Sequence, residues 1–258
     1  MYGPGGPPGG FVDVGCGNGL LVFILASEGY TGYGVDLRAR KSWALYPSTT
    51  DLRTATLSPV DLLDAKAPPF PLNSFLVGNH ADELTPWIPL FAASTPGASF
   101  LNIPCCLHDF TGHFTRGVHT IPPSFLASLP SPPSDDPPPT FDAQSTLPTI
   151  STDPHHSLLK PFYAPTSSAL HSGRYFAYQS YLAHITLRCG FWPEREALRI
   201  PSTKNFGFLG RRRVWEGLGE EERREGEERV RREMEEIVRG VRGSWVARTP
   251  EGKAGGHC

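Results

Sequence analysis

Three glycines at alternate positions, with a carboxylate further along the chain, are the residues best placed to do chemistry. The glycines are Gly15, Gly17 and Gly19, and they follow an apolar run, Phe11–Val14, that predicts a buried strand. A turn without side chains lets backbone N–H groups approach a ligand, and the start of a helix favours polar or anionic groups. Asp36 ends the next apolar segment, where a carboxylate can accept hydrogen bonds from both hydroxyls of a ribose. The pattern therefore predicts a site for a nucleoside cofactor.

An acidic side chain inside the first strand favours a cofactor with a cationic end. The dinucleotide fingerprint spaces its glycines as G-x-G-x-x-G and holds a pyrophosphate, which Asp13 would repel. S-adenosylmethionine carries an ammonium and a sulfonium, and the run Val12–Gly19 resembles the first motif of class I methyltransferases. We assign Asp13 and the glycine turn, with Cys16, to the methionine end, and Asp36 to the adenosine ribose. A turn without a ligand, and a capping role for Asp36, are the alternatives.

The elements that must position these residues alternate between strand and helix. Apolar runs at 11–14, 32–36, 74–78 and 98–103 predict strands of an α/β, Rossmann-like sheet with helices on both faces. Ligands of such sheets bind at the carboxyl ends of the strands. Polar clusters follow two of these runs, namely Asn79, His80, Asp82 and Glu83 after one, and Cys105, Cys106, His108 and Asp109 after the other.

Composition changes along the chain predict its organisation. We expect a disordered Gly/Pro leader (1–10), a cofactor-binding core (11–120), a disordered Pro/Ser-rich insertion (121–160), the C-terminal part of the same domain (161–215), and a charged helix with a tail (216–258). Residues 220–242 are nearly all Glu and Arg, with one apolar stripe, which predicts a surface helix; RNA contacts by its arginines are the alternative.

Charge, apolar runs and cysteines limit the possible partners and location. The formal net charge of −2 argues against strong non-specific binding of nucleic acid, although local basic patches still count. No apolar run approaches the roughly 18 residues of a membrane span. Five cysteines without a C-x-x-C pair and without a signal peptide predict a reduced, cytoplasmic protein.

Four further blocks resemble the Trm44 family of tRNA (uracil-2′-O-)-methyltransferases over residues 11–118 and 172–213. The blocks are Gly34–Lys41, Gly78–Trp87, Ile103–Phe110 and Leu198–Lys204. The resemblance implies a class I methyltransferase fold and S-adenosylmethionine as methyl donor. It also implies a serine tRNA as acceptor, methylated on the ribose of the uridine just before the variable arm.

One departure from the family's pattern leaves a second function open. Family members carry a long region ahead of the first strand, including a helix beside the cofactor, whereas about ten residues precede that strand here. A truncated, non-catalytic RNA-binding or scaffold protein with a methyltransferase-like fold is therefore the alternative. A different methyl acceptor on the same fold is another, because a fold does not define a substrate.

Methylation of a ribose hydroxyl needs a base, or a cation that stabilises the developing alkoxide. We take His80, Asp82 and Glu83 as candidates for the base or for the group that orients it. Lys204 is the candidate cation, and Asn79 is assigned to the cofactor. The alternatives are that the carboxylates cap the following helix and that Lys204 is a solvated loop residue.

Two remaining clusters have their own interpretations. The spacing Cys-Cys-x-His-Asp at 105–109 fits no structural zinc pattern, so we expect no metal and assign these residues to the lining of the acceptor pocket. Arg38, Arg40 and Lys41 are candidates for RNA phosphate contacts, and a solvated surface run is the alternative.

Overall fold

The computed structural model describes residues 6–131, 173–201 and 204–245, in which seven strands form one sheet of order β3-β2-β1-β4-β5-β7-β6. The first five strands are parallel, and β7 lies antiparallel between β5 and β6. The strands are β1 (Phe11–Val14), β2 (Gly32–Asp36), β3 (Leu52–Thr54), β4 (Phe75–Asn79), β5 (Ser99–Ile103), β6 (Phe191–Ala197) and β7 (Phe206–Arg213). The strand order reverses between β1 and β4, which is where ligands of such sheets bind.

The helical segments of the described residues connect these strands. The α-helices are α1 (Leu20–Ser27), α2 (Ile88–Ala93), α3 (Pro123–Ala127), α4 (Arg174–Arg188) and α5 (Glu220–Val241). Three 3-10 helices are Lys41–Leu45, Pro59–Asp61 and Asp82–Trp87. None of the helices in the described residues is long and apolar enough to cross a membrane.

Side chains of β1 divide the core into two layers. Val12 and Val14 belong to the main cluster, which also contains the buried residues of α4 and α5. Phe11 packs with Val22 of α1 and with Trp43 in a second cluster. Because successive side chains of a strand point to opposite faces, helices cover both faces of the sheet. The predicted α/β class I methyltransferase fold is therefore confirmed.

The charged helix predicted near the C-terminus is α5. Its apolar stripe is buried, with Val230, Met234 and Val238 in the main cluster. Its exposed side carries ion pairs such as Arg239–Glu235 at 2.9 Å. Exposed pairs of this kind contribute about 0.3–0.5 kcal/mol each. Burial of the stripe and the half-buried ion pair of Glu233 with Arg188 of α4 attach α5 to the domain.

Part of the predicted disordered insertion is folded. Residues 123–127 form α3, and Leu126 and Leu129 lie in the main cluster with at most 7% of their surface exposed. The prediction is wrong for 121–131, because two leucines and Ile121 supply apolar surface that the average composition of the Pro-rich stretch conceals. The rest of the predicted insertion, 132–160, lies outside the described residues.

The predicted Gly/Pro leader is partly folded. Within the predicted leader, the Gly9 N–H donates to Asn73 O at 3.1 Å and Gly10 is buried, so residues 6–10 pack beside the sheet. Residues 1–5 and 246–258 lie outside the described part of the chain, as do 161–172.

Candidate active site

The glycine turn has the backbone that only glycine adopts readily. Gly15, Gly17 and Gly19 have φ of 76°, 53° and 81°, which is the left-handed region. Gly19 precedes the first residue of α1 in this conformation. A Cβ added at Gly17 would meet no atom within 4 Å, whereas one at Gly19 would lie 2.8 Å from Leu52 Cδ1. The backbone at Gly17 therefore borders open space that a ligand can enter.

Asp36 lies across this turn, as its place at the end of β2 predicts. Its carboxylate accepts hydrogen bonds from the Gly17 N–H at 2.9 Å and from the Arg38 N–H at 3.3 Å. The Arg40 guanidinium lies 3.8 Å away, and 11% of the Asp36 side chain is exposed. Since an ionised carboxylate has about four acceptor positions, capacity remains for the hydroxyls of a ribose.

Asp13 is a buried carboxylate without a compensating charge. Only 2% of the residue is exposed, and Oδ1 has no hydrogen-bond partner among the described residues. Burial, reinforced by the negative charge of Asp36, raises the pKa of Asp13 to about 7. A cationic group placed beside it would favour the ionised form and offset the cost of burial. The environment of Asp13 thus fits the ammonium end of a ligand.

Cys16 lies in the turn with its side chain packed inward. A Cβ added at Gly34 of β2 would lie 2.7 Å from Cys16 Cβ, so the thiol fills the space that Gly34 leaves. Burial, together with the charges of Asp13 and Asp36, raises the pKa of the Cys16 thiol to about 12. Cys16 therefore packs the turn against β2, and its side chain has no thiolate to offer a ligand near neutral pH.

The loop after β4 borders the glycine turn. Ala81 Cα lies 3.6 Å from the position of a Cβ on Gly15. On either side of Ala81, His80 and Asp82 have positive φ of 58° and 48°. Such backbone conformations cost about 1–3 kcal/mol each and cluster at functional sites. The sequence did not reveal these conformations, because Asp and His adopt the left-handed region more often than most residues but do not require it.

Three segments distant in sequence meet at Asp82. The Cys105 thiol, just after β5, donates to Asp82 Oδ1 at 3.6 Å. The Lys204 ammonium, just before β7, donates to the carbonyl oxygen of Cys105. Burial and then the charge of Asp82 raise the pKa of the Cys105 thiol, which keeps it a hydrogen-bond donor. Cys105 thus links the two predicted catalytic groups, a role that the sequence did not indicate.

The other residues of the block after β4 are neighbours of Asp82 in the chain. Asn79 is the last residue of β4, and the exposed His80 donates its backbone N–H to Ile103 O at 3.1 Å. Asp82 and Glu83 are the first two residues of the 3-10 helix, whose N-cap is Ala81 and which has no side-chain cap hydrogen bond. Both carboxylates lie in its first turn, where a helix favours negative charge, so the helix-terminus alternative stays open for them.

The cysteine-rich segment after β5 lies beside Asp82. Asp82, Cys105 and Cys106 bring ligand atoms within 4.8 Å of one another. Asp109 accepts hydrogen bonds from Thr111 and Gly112 and so closes a turn.

Free thiols occur at three cysteines of the described residues. Cys16, Cys105 and Cys189 are free thiols.

The residues of this site match a known protein family. Residues 6–57, which contain Asp13, the glycine turn and Asp36, match the family described as predicted AdoMet-dependent methyltransferase.

Curated relatives match over most of the chain. The chain is 35% identical to a tRNA (uracil-O(2)-)-methyltransferase of Schizosaccharomyces pombe, over 78% of this chain and 36% of the relative. It is 34% identical to the protein of the same name from Neurospora crassa, over 79% of this chain and 36% of the relative. A probable tRNA (uracil-O(2)-)-methyltransferase of Homo sapiens is 33% identical over 80% of this chain and 20% of its own length.

The chain thus spans about a third of the length of the two fungal relatives and a fifth of the human one. The matched residues 6–57 include β1 with Asp13, the glycine turn and β2 with Asp36. The chain belongs to the Trm44 family of S-adenosylmethionine-dependent methyltransferases.

Proposed function

We propose that the chain transfers a methyl group from S-adenosylmethionine to the 2′-hydroxyl of a uridine ribose in tRNA. One observation carries the proposal: the loop that bears Asp82 lies directly against the glycine turn, through Ala81 and Gly15, and Cys105 and Lys204 join that loop from two other segments. A methyl donor bound at the turn would therefore face a carboxylate and an ammonium. The names of the relatives supply the acceptor, tRNA, and the modified nucleoside.

On the donor side, the residues at the ends of β1 and β2 would hold the cofactor. The Asp13 carboxylate would pair with the ammonium of the methionine end, and Asp36 would accept hydrogen bonds from the ribose. The glycine turn leaves room for the chain that connects these two ends. Bound S-adenosylmethionine supplies a methyl group activated by its sulfonium.

On the acceptor side, Asp82 would take the proton of the 2′-hydroxyl as the new O–CH3 bond forms and the S–CH3 bond breaks. The Lys204 ammonium would stabilise the negative charge that develops on the oxygen, as preorganised cations do in enzymes. The Cys105 thiol holds Asp82 in place by its hydrogen bond. Glu83 and His80 are the alternative bases in the same block.

The narrower proposal concerns the tRNA and the place of reaction. From the resemblance, we propose that serine tRNAs are the acceptors, with the uridine just before the variable arm as the target, and that the reaction takes place in the cytoplasm. Transcripts of serine tRNA with that uridine replaced by cytidine test the position. Loss of methyl acceptance supports it, and equal acceptance would contradict it.

Calorimetric titration with S-adenosylmethionine tests the donor half of the proposal. We expect binding by the wild-type chain and at least a tenfold loss of affinity in Asp13→Asn, because the ammonium would lose its partner. Asp51→Asn, at an exposed carboxylate paired with Arg53, is the matched control and should bind as the wild type does. A wild-type chain that does not bind S-adenosylmethionine would favour the non-catalytic RNA-binding alternative.

A further inference from the structure

The first 3-10 helix, Lys41–Leu45, holds the glycine turn from outside. The Trp43 indole N–H donates to the carbonyl oxygen of Gly17 at 2.9 Å. The Ser42 hydroxyl donates to the carbonyl oxygen of Asn18 at 2.8 Å. Two successive carbonyls of the turn are therefore held by side chains of one short helix.

Trp43 is itself fixed by packing. Its ring lies against the cluster of Phe11, Cys16 and Val22 between the sheet and α1. Three residues further on, the ring of Tyr46 stacks on that of Phe23 of α1 at 5.0 Å between centroids. The indole N–H thus approaches Gly17 from a rigid support.

The other backbone N–H groups of the turn are already used. Gly15 and Cys16 donate to Val35 O, Gly17 to Asp36, Gly19 to Cys16 O, and Leu20 to the side chain of Asn18. Of the residues that the structure describes, none accepts a hydrogen bond from the Asn18 N–H. One donor of the turn therefore remains available to a ligand.

Trp43 determines where this donor points. In a trans peptide the carbonyl of one residue and the N–H of the next point in opposite directions, and the structure contains no cis peptide among its described residues. Because the Gly17 carbonyl points to Trp43, the Asn18 N–H points away from it. Rotation of this peptide would turn the donor toward the indole ring instead.

We propose that Trp43 is a positioning residue, which orients the Gly17–Asn18 peptide so that the Asn18 N–H binds the carboxylate of the cofactor's methionine end. The inference rests on the proposed function, and it adds a ligand contact and the residue that fixes its direction. The acceptor is anionic because the N–H lies just before the start of α1, where helix geometry favours negative groups. The nearby Asp13 carboxylate would pair with the ammonium of the same amino-acid moiety.

The variant Trp43→Phe tests this inference, since it keeps the aromatic packing and removes the donor. We expect the Kd for S-adenosylmethionine to rise about three- to tenfold, the effect of one net hydrogen bond. The Kd for 5′-methylthioadenosine, which lacks the amino-acid moiety, should stay within about twofold of the wild-type value. A general loss of structure would weaken both ligands alike.

Two further variants complete the experiment. Trp215→Phe, at a partly buried tryptophan that packs against Gly226 of α5, should leave both constants unchanged. Ser42→Ala removes the second hydrogen bond, the one to the carbonyl oxygen of Asn18, and replaces Trp43→Phe as the test if that variant does not fold. It should weaken the binding of S-adenosylmethionine and leave the binding of 5′-methylthioadenosine unchanged.

Three results would overturn the inference. They are an unchanged Kd for S-adenosylmethionine in folded Trp43→Phe, equal losses for both ligands, and an Asn18 amide resonance that does not move when wild-type protein is saturated with S-adenosylmethionine. A wild-type chain that binds neither ligand is a different result, which would overturn the proposed function together with this inference.

Discussion

Replacement of Asp13 by asparagine should stabilise the ligand-free protein above pH 7. The pKa of Asp13 is raised from 3.8 to about 7 by burial and by Asp36. A folded-state pKa above the unfolded one means that the folded state binds the proton more tightly. The contribution of Asp13 to the free energy of unfolding is therefore fully present below about pH 4 and is lost as the pH rises to about 7. Asparagine, with nearly the same shape and no charge, does not lose it.

The size of the effect follows from the shift. A rise from 3.8 to about 7 corresponds to about 4 kcal/mol at about 1.4 kcal/mol per pKa unit, which is an upper value for the gain above pH 7. We expect the difference in unfolding free energy between Asp13→Asn and wild type to grow by about 2–4 kcal/mol between pH 4 and pH 8.

Urea denaturation of the ligand-free proteins at pH 4, 6 and 8 measures this difference. Asp51→Asn serves as the control, because the exposed Asp51 pairs with Arg53 and its loss should produce no comparable rise toward pH 8. A difference between Asp13→Asn and wild type that does not change with pH would refute the reasoning. It would mean that Asp13 is ionised without penalty and has no need of a cationic ligand.

The remaining predictions concern the other parts of the site and the core. Gly17→Arg should abolish binding of S-adenosylmethionine in calorimetry, because its side chain would enter the open space at the turn; unchanged affinity would contradict this. Asp36→Ala should weaken binding at least tenfold in the same assay, since charge-assisted hydrogen bonds contribute about 1.5–3 kcal/mol each; wild-type affinity would make Asp36 a turn residue only. Asp82→Ala should reduce methyl transfer by about a hundredfold with little change in cofactor affinity, and a loss confined to cofactor binding would argue against its place on the acceptor side. Leu126→Ala should lower the unfolding free energy by about 2–5 kcal/mol, and a negligible loss would show that α3 does not belong to the core.

The donor half of the site was predictable because its signals are local. The glycines, Asp13 and Asp36 lie within 24 residues of one another on consecutive elements. A strand followed by a glycine turn and a helix has few alternative geometries, so the approach of Asp36 to Gly17 follows from the pattern. The apolar stripe of α5 was predictable for the same reason, since helical periodicity is visible in the sequence.

The contacts that complete the site depend on distant parts of the fold. Lys204 reaches Cys105 across 99 residues, because β7 enters the sheet antiparallel beside β5 and begins at that strand's carboxyl end. No spacing in the sequence indicates that approach. The hydrogen bond from Trp43 to Gly17 is equally hidden, because an apolar tryptophan signals packing and not the direction of its N–H.

Conformational strain and part of the core were also beyond the sequence. Positive φ at His80 and Asp82 arises from the path of the loop over Gly15, and neither residue type requires it. The fold of residues 121–131 depends on two leucines that reach the core from a proline-rich stretch. In each case tertiary packing determines a local conformation that the local sequence leaves open.

Transfer of a labelled methyl group is the most direct test of the central claim, that the polar cluster at Asp82 faces a methyl donor bound at the glycine turn. The purified chain would be incubated with methyl-labelled S-adenosylmethionine and total tRNA, and the tRNA digested to nucleosides for analysis. The proposed function predicts label in 2′-O-methyluridine, and a loss of at least about a hundredfold in Asp82→Ala while cofactor binding persists. Label in a base, or in protein, or equal transfer by Asp82→Ala, would contradict it.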